Sequence, residues 1–230
     1  MKTQYSVDQI YNILEDEIVE LKIKPNDVLG ENSLAARFDV SRTPIRSVLQ
    51  RLQDNGFVKI IMGKGTFVMP ISMETASEII YLRVAVESMI FRDFIRNASP
   101  TERESVRYAF EQMEEIAKGK DDLETFDINL FLKKDLEMHR LWFQSANKMY
   151  IWNLVTKPHP DYSRFIRLDI VGAKNVPDVM EDHRKMMEMI DNKSTDGLEE
   201  LMTRHLYGGV RRLGSKLFSD EYRSYFQPQF

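Results

Sequence analysis

The hydrophobic period of the chain changes at Asn55-Gly56, and that change sets the architecture. Before it, apolar residues recur at helical spacing. Val7, Ile10, Tyr11, Leu14, Ile18 and Leu21 outline one amphipathic helix, which Pro25-Asn26-Asp27 ends. Leu34, Ala35 and Phe38 outline a short second helix with Asn32 or Ser33 as N-cap. After a tight turn at Asp39-Val40, Ser41 caps a third helix. Pro44 then falls in the first turn, where no intrahelical N–H is needed, and Ile45, Val48, Leu49 and Leu52 form the buried stripe. Gly56 suits the left-handed position just past the helix end. Beyond it, Phe57 to Ile61 and Thr66 to Met69 read as strands around a Met62-Gly63-Lys64-Gly65 turn. Three helices followed by a hairpin make a winged helix-turn-helix, with the helix opening at Ser41 as its recognition helix.

Everything after residue 70 reads as helix, so the expected fold is mainly α: an N-terminal winged helix-turn-helix plus a C-terminal all-helical bundle. The expected boundaries are 1–70 for the winged domain, 71–73 for a short linker stiffened by the preceding Pro70, 74–218 for the helical domain and 219–230 for a tail. Ser99-Pro100-Thr101-Glu102 is a capping box with proline at the first helical position. Helices are expected over about 74–97, 100–118, 123–146, 148–156, 161–172, 177–191 and 195–217. Five of the thirteen methionines fall between Met180 and Met202, where flexible side chains suit a pocket as well as ordinary packing.

Composition narrows the chemistry. The absence of cysteine excludes disulfides, thiolate catalysis and cysteine-based zinc sites. No stretch approaches the roughly 18 apolar residues of a membrane span, and the opening MKTQYSVDQI lacks a signal-peptide core, so the expected compartment is the cytoplasm. A net charge of −4 argues, taken whole, against nucleic-acid binding. The charge is segregated, however. Residues 1–70 hold nine basic and nine acidic side chains, which leaves the whole −4 in the remainder. Residues 37–68 carry Arg37, Arg42, Arg46, Arg51, Lys59 and Lys64 against Asp39 and Asp54, a local +4.

Arg42 and Arg46 stand one turn apart at the N-terminal half of the recognition helix, the half that enters the major groove. Arginine's fork matches the two acceptors of guanine. Ser41 and Thr43 suit phosphate contacts, and Lys64 at the hairpin tip can reach phosphate or the minor groove. Two arginines alone would read as a solvated basic face; the surrounding helix–turn–helix–wing order turns the reading toward double-stranded DNA.

Asp135 and His139 are four residues apart on one helix face, a spacing that can chelate one ion. His183 and His205 flank the 192–194 connection symmetrically, so in an antiparallel hairpin both imidazoles reach about the same height. One aspartate and three histidines suit Zn²⁺, with Ni²⁺ or Mn²⁺ also accepted. The competing reading of an isolated Asp-x-x-x-His pair is surface or packing. His159, between two prolines, reads as a turn residue rather than a ligand.

The segment from Leu34 through Ser41-Arg42-Thr43-Pro44-Ile45-Arg46, continued by Leu52, Gly56 and the Gly63–Val68 hairpin, resembles the DNA-binding domain of GntR-family bacterial transcription regulators. The resemblance implies base reading by Arg42 and Arg46, minor-groove entry of the wing around Gly63, and a contact surface that includes Arg37. Pro25-Asn26 replaces the usual Pro-Gly, and asparagine tolerates the left-handed turn. Asn32 stands where fatty-acid-responsive members have a DNA-contacting arginine, so their operator does not transfer.

Residues 75–215 resemble the all-helical FCD effector domain of the FadR subfamily. That likeness implies metal ligation by Asp135, His139, His183 and His205, with Asn147 at a position where an asparagine commonly follows. It also implies a small carboxylate effector that completes the metal's coordination, with Arg83 as an arginine able to hold it. An ion pair of Arg83 with Glu87, one turn on, is the equal alternative; Arg164 and Arg167 are weaker candidates. The expected function is a homodimeric regulator that reads an inverted-repeat operator and responds to the carboxylate. The alternatives are a metal-dependent helical-bundle enzyme, for which no general base is evident, and a regulator whose metal is structural or is itself the signal.

Overall fold

A computed structural model of the chain describes residues 5–118, 126–156, 159–173 and 175–228. It divides into two compact units. One comprises Met1–Ala76, Pro158–Arg167 and Ser215–Phe230; the other comprises Ser77–Lys157 and Leu168–Gly214.

The first unit contains the winged helix-turn-helix. Helix α1 (Val7–Val19) opens on a capping box in which Ser6 and Gln9 each satisfy the other's backbone N–H. Its buried stripe ends at Ile18, and Leu21 turns left-handed at φ 59°. The helix therefore stops before the expected Pro25, and Val19 and Ile23 pack against the core from its end and from the turn that follows. Asn26 adopts φ 73°, the left-handed conformation its side chain tolerates. Helix α2 (Glu31–Phe38) is capped by Gly30, not by Asn32 or Ser33. Ser33 lies inside the first turn, where its hydroxyl donates back to the Gly30 carbonyl at 2.9 Å.

Helix α3 (Arg42–Asp54) follows Ser41 as N-cap, and Gly56 takes φ 80° just past its end. Strands β1 (Val58–Ile61) and β2 (Gly65–Val68) pair antiparallel with Ile61 opposite Gly65. Ile10, Leu14, Ile18, Ile45, Val48 and Leu52 are fully buried in a common core. Each such side chain contributes about 1.5–3 kcal/mol of burial.

Helix α4 (Met73–Asn97) begins the helical part, followed by α5 (Pro100–Ala117), α6 (Ile128–Ser145), α7 (Met149–Val155), α8 (Pro160–Ala173) and α9 (Val176–Asn192). The Ser99–Glu102 box caps α5 as its sequence signals, with the Ser99 N–H donating to Glu102 at 2.8 Å. The expected start of the next helix near 123 lies outside the described residues; α6 is described from Ile128 with Asp127 as cap. In the second unit α5 packs along α6 and α9, and α9 along α10 (Leu198–Leu206).

The single helix expected over 195–217 is broken. After α10 come α11 (Gly208–Leu213) and a 3₁₀ turn over Gly214–Phe218. The break falls at Tyr207, and Gly208-Gly209 open α11, where a Cβ on Gly209 would stand 2.9 Å from the buried carboxyl carbon of Asp169. Within the expected tail, α12 spans Asp220–Phe226.

Candidate functional sites: a recognition helix and a histidine–aspartate cluster

In the first unit, α3 presents its N-terminal turn outward. Ser41 and Thr43 are exposed, and the side chains of Arg42 and Arg46 are 57% and 65% exposed. Both arginines face one carboxylate, Glu31 at the start of α2. Arg46 Nε donates to both its oxygens at 3.0 and 2.9 Å, and Arg42 Nε lies 3.6 Å away. The Ser41 side chain makes no capping hydrogen bond. Arg37 is occupied elsewhere: it donates to both oxygens of Glu17 at 2.8 and 2.5 Å and lies over the Phe38 ring. That tie joins α2 to α1.

At the wing tip, Gly63 takes φ 74° and Lys64 N–H closes the turn on the Ile61 carbonyl at 3.0 Å. Lys64 is exposed, and Met62 beside it is 98% exposed. Sequence reasoning did not single out Met62, although an apolar residue in a solvent-facing turn was the available signal.

Arg164 and Asp161 belong to this unit too. Arg164 is fully buried and donates to the carbonyls of Pro160 and Met69, both at 2.5 Å. Burial lowers its guanidinium to about 10. Asp161 accepts the Ser72 N–H at 2.8 Å. These bonds fasten residues 69–72, so Arg164 holds backbone rather than standing open to an effector. His159 accepts the Asp161 N–H at 3.3 Å in the first turn of α8, a helix-start role.

In the second unit four side chains converge from three helices. Asp135 and His139 lie one turn apart on α6, His183 comes from α9 and His205 from α10. One ligand atom from each lies within 4.8 Å of all the others. His183 Nε2 stands 3.3 Å from both Asp135 Oδ1 and His139 Nε2. His139 and His183 are fully buried.

Burial, with His205 close by, pushes His183 down to about 3, so its imidazole is neutral, the ligating form. Burial acts to raise Asp135, yet the positive potential of its surroundings, His139 first and Arg83 among them, outweighs it and holds the carboxyl below its ordinary range. Metal–ligand bonds of about 2.0–2.2 Å put the donors of one ion roughly 3–4 Å apart. The cluster is already close to that spacing. Nδ1 of His183 and Nδ1 of His205 are buried without a hydrogen-bond partner among the described residues. Such groups in a native interior call for a partner such as water. The donor set and the two short separations fit a divalent ion.

Around the cluster lies a shell that sequence reasoning only partly found. Glu87 of α4 approaches His139 Nδ1 at 2.5 Å with one oxygen and accepts from Arg83 Nε at 2.5 Å with the other. Burial acts to raise Glu87, but Arg83 and His139 outweigh it and bring the carboxyl to about 2. Arg83 is thus engaged in the intrahelical ion pair, one of the two roles open to it. Asp182 lies 3.7 Å from His205 Nδ1 and accepts from Arg204 Nε at 2.8 Å. Trp142 packs against the His139 ring, 4.4 Å between centroids.

Asn147 is not brought to the cluster. It is the exposed, left-handed residue at the end of α6, about 12 Å along the helix from His139. A cleft of about 420 Å³ lined by Asp182, Lys185, Arg204, Arg211 and Arg212, among others, opens beside Asp182.

Among the described residues no helix is long and apolar enough to cross a membrane. Residues 6–68 match the family described as bacterial regulatory proteins, gntR family, and residues 78–208 match the FCD domain. The HTH-type transcriptional repressor RspR of Escherichia coli K12 is 28% identical over 95% of this chain and 96% of that protein. A gluconate operon transcriptional repressor of Bacillus licheniformis is 25% identical over 80% of this chain and 74% of its own length. Two solved structures share the fold. E. coli McbR/YncC has a TM-score of 0.66 at 15% identity, covering 91% of this chain and 97% of that one. A GntR regulator from Rhodococcus sp. RHA1 has 0.68 at 19%, covering 90% and 97%. The chain therefore belongs to the GntR family of bacterial regulators with an FCD domain, and it is a DNA-binding transcriptional regulator rather than an enzyme.

Proposed function

We propose that the helical domain, residues 74–218, holds a divalent metal through Asp135, His139, His183 and His205, with zinc first and nickel or manganese next. A small carboxylate that joins this metal changes how the winged domain, residues 1–70, engages its operator. The observation that carries the metal reading is the convergence of the four ligand atoms within 4.8 Å. The bound ion would supply an electrophilic centre that accepts a carboxylate oxygen. The adjoining cleft mixes Lys185, Arg204, Arg211 and Arg212 with Asp178, Glu181 and Asp182, which suits a small polar ligand. Arg42 and Arg46 read base edges, and Ser41, Thr43, Gly63 and Lys64 contact the backbone or minor groove. The chain acts as a homodimer on an inverted repeat, since paired recognition helices gain affinity and specificity.

One observation favours a second version, in which the metal is structural or is itself the signal. Arg83 is 4% exposed and gives its Nε to Glu87, so the arginine expected to clamp a carboxylate is partly committed to an ion pair.

Gel shifts on an operator selected from random duplexes test the proposal. Arg42→Ala and Arg46→Ala should each abolish the shift, and a panel of small carboxylates should release metal-loaded wild type. Intact binding by both variants would overturn the DNA reading. Metal-dependent binding with no carboxylate response would favour the second version.

A further inference from the structure

The two arginines at the front of the recognition helix share one counter-ion, and that counter-ion sits on a different helix. Glu31 is the first residue of α2; Arg42 and Arg46 are on α3. Both carboxylate oxygens accept from the same atom, Arg46 Nε, at 3.0 and 2.9 Å. The Arg42 Nε lies 3.6 Å from Glu31 Oε2. All three side chains are open to solvent, at 65%, 57% and 32% exposure for Arg46, Arg42 and Glu31.

A guanidinium has five N–H donors in a fixed plane. When Nε is taken, the donors left in a parallel pair are those of Nη1 and Nη2. That edge matches guanine O6 and N7. A carboxylate engaging Nη1 and Nη2 would instead block the reading edge. Glu31 thus holds Arg46 by the atom that base reading does not need.

We propose that Glu31 is a specificity-determining residue for operator recognition. It positions Arg46, and more loosely Arg42, with the Nη edge forward, and it cancels one positive charge at the DNA-facing surface. This rests on the reading of α3 as the recognition helix. The first effect moves the loss of arginine rotamer freedom from binding to folding, which tightens cognate binding. The second weakens attraction to any phosphate backbone, because sequence-independent affinity grows with each net positive charge. Both widen the gap between operator and random DNA. Exposed ion pairs contribute little to stability, and a purely structural role would leave DNA discrimination untouched.

The test uses the full-length chain at fixed salt and fluorescence anisotropy on two duplexes: the operator selected from random DNA, and a scrambled duplex of equal length and composition. Wild type, Glu31→Gln and Arg46→Ala are compared, with thermal melts as a folding control. For Glu31→Gln the expected result is operator binding about three- to tenfold weaker and scrambled binding about twofold tighter, with an unchanged melt. For Arg46→Ala the expected result is operator binding at least about tenfold weaker. If Arg46→Ala loses discrimination while Glu31→Gln keeps the wild-type ratio, the role of Glu31 is overturned and the recognition helix stands. If Arg46→Ala keeps the wild-type ratio, the reading of α3 fails, and the role of Glu31 fails with it.

Discussion

Glu87 Oε2 stands 2.5 Å from Nδ1 of His139, with neither side chain exposed to solvent. The contact fixes which imidazole nitrogen carries the proton. Nδ1–H is directed at the carboxylate, and Nε2 is left facing His183 at 3.3 Å. A carboxylate behind a ligating histidine raises its basicity and locks its orientation. Glu87→Gln keeps the shape and removes the charge, so metal affinity in chelator competition should fall about 10- to 100-fold. An unchanged affinity would assign Glu87 to packing alone.

Arg164 joins the start of α8 to the segment between the winged domain and α4. Its donors reach the carbonyls of Met69 and Pro70 at 2.5 and 3.4 Å, and the side chain is fully buried. Arg164→Met keeps much of the volume but strands those carbonyls. Each buried unsatisfied group costs about 1–3 kcal/mol, so denaturant unfolding should show a loss of roughly 2–5 kcal/mol. A loss below about 0.5 kcal/mol would mean that solvent already satisfies these carbonyls.

Tyr11 makes the winged domain sensitive to alkali. Its hydroxyl donates to Glu15 at 2.8 Å and accepts from Asn55 at 3.0 Å. Burial, then Glu15, raises the phenol to about 12 from an ordinary 10. A raised folded value means the stabilisation is complete below pH 10 and is lost as the pH climbs through 12. Wild type should therefore lose stability more steeply than Tyr11→Phe between those limits, followed by circular dichroism. Parallel profiles would remove Tyr11 from the account.

Local signals made most of the fold legible. The Ser99–Glu102 box lies within one turn, and Gly56 and Asn26 take the left-handed backbone that their residue types allow. The break at Tyr207, just before Gly208-Gly209, was not legible. Leu198, Leu201, Met202, Leu206 and Leu213 keep an apolar rhythm across it, and glycine inside a helix costs only about 1 kcal/mol. The approach of Gly209 to Asp169, forty residues earlier, has no local sequence trace.

Site residues divide the same way. The four-residue step from Asp135 to His139 and the symmetric placement of His183 and His205 are one-dimensional patterns. The contact of Glu87 with His139 spans 52 residues, and that of Glu31 with Arg46 spans 15 across two helices. Both depend on packing. Arg83 shows the limit most clearly: its sequence context suits an effector clamp or an ion pair, and only its 4% exposure and 2.5 Å bond to Glu87 reveal the pair.

Elemental analysis of the purified, dialysed protein tests the central claim most directly. The metal reading requires about one divalent ion per wild-type chain, filled by four protein ligands. His183→Ala and Asp135→Asn, each shown by circular dichroism to remain helical, should retain little or none. Wild type that stays metal-free after incubation with zinc, nickel or manganese would contradict the account, as would folded variants that carry as much metal as wild type.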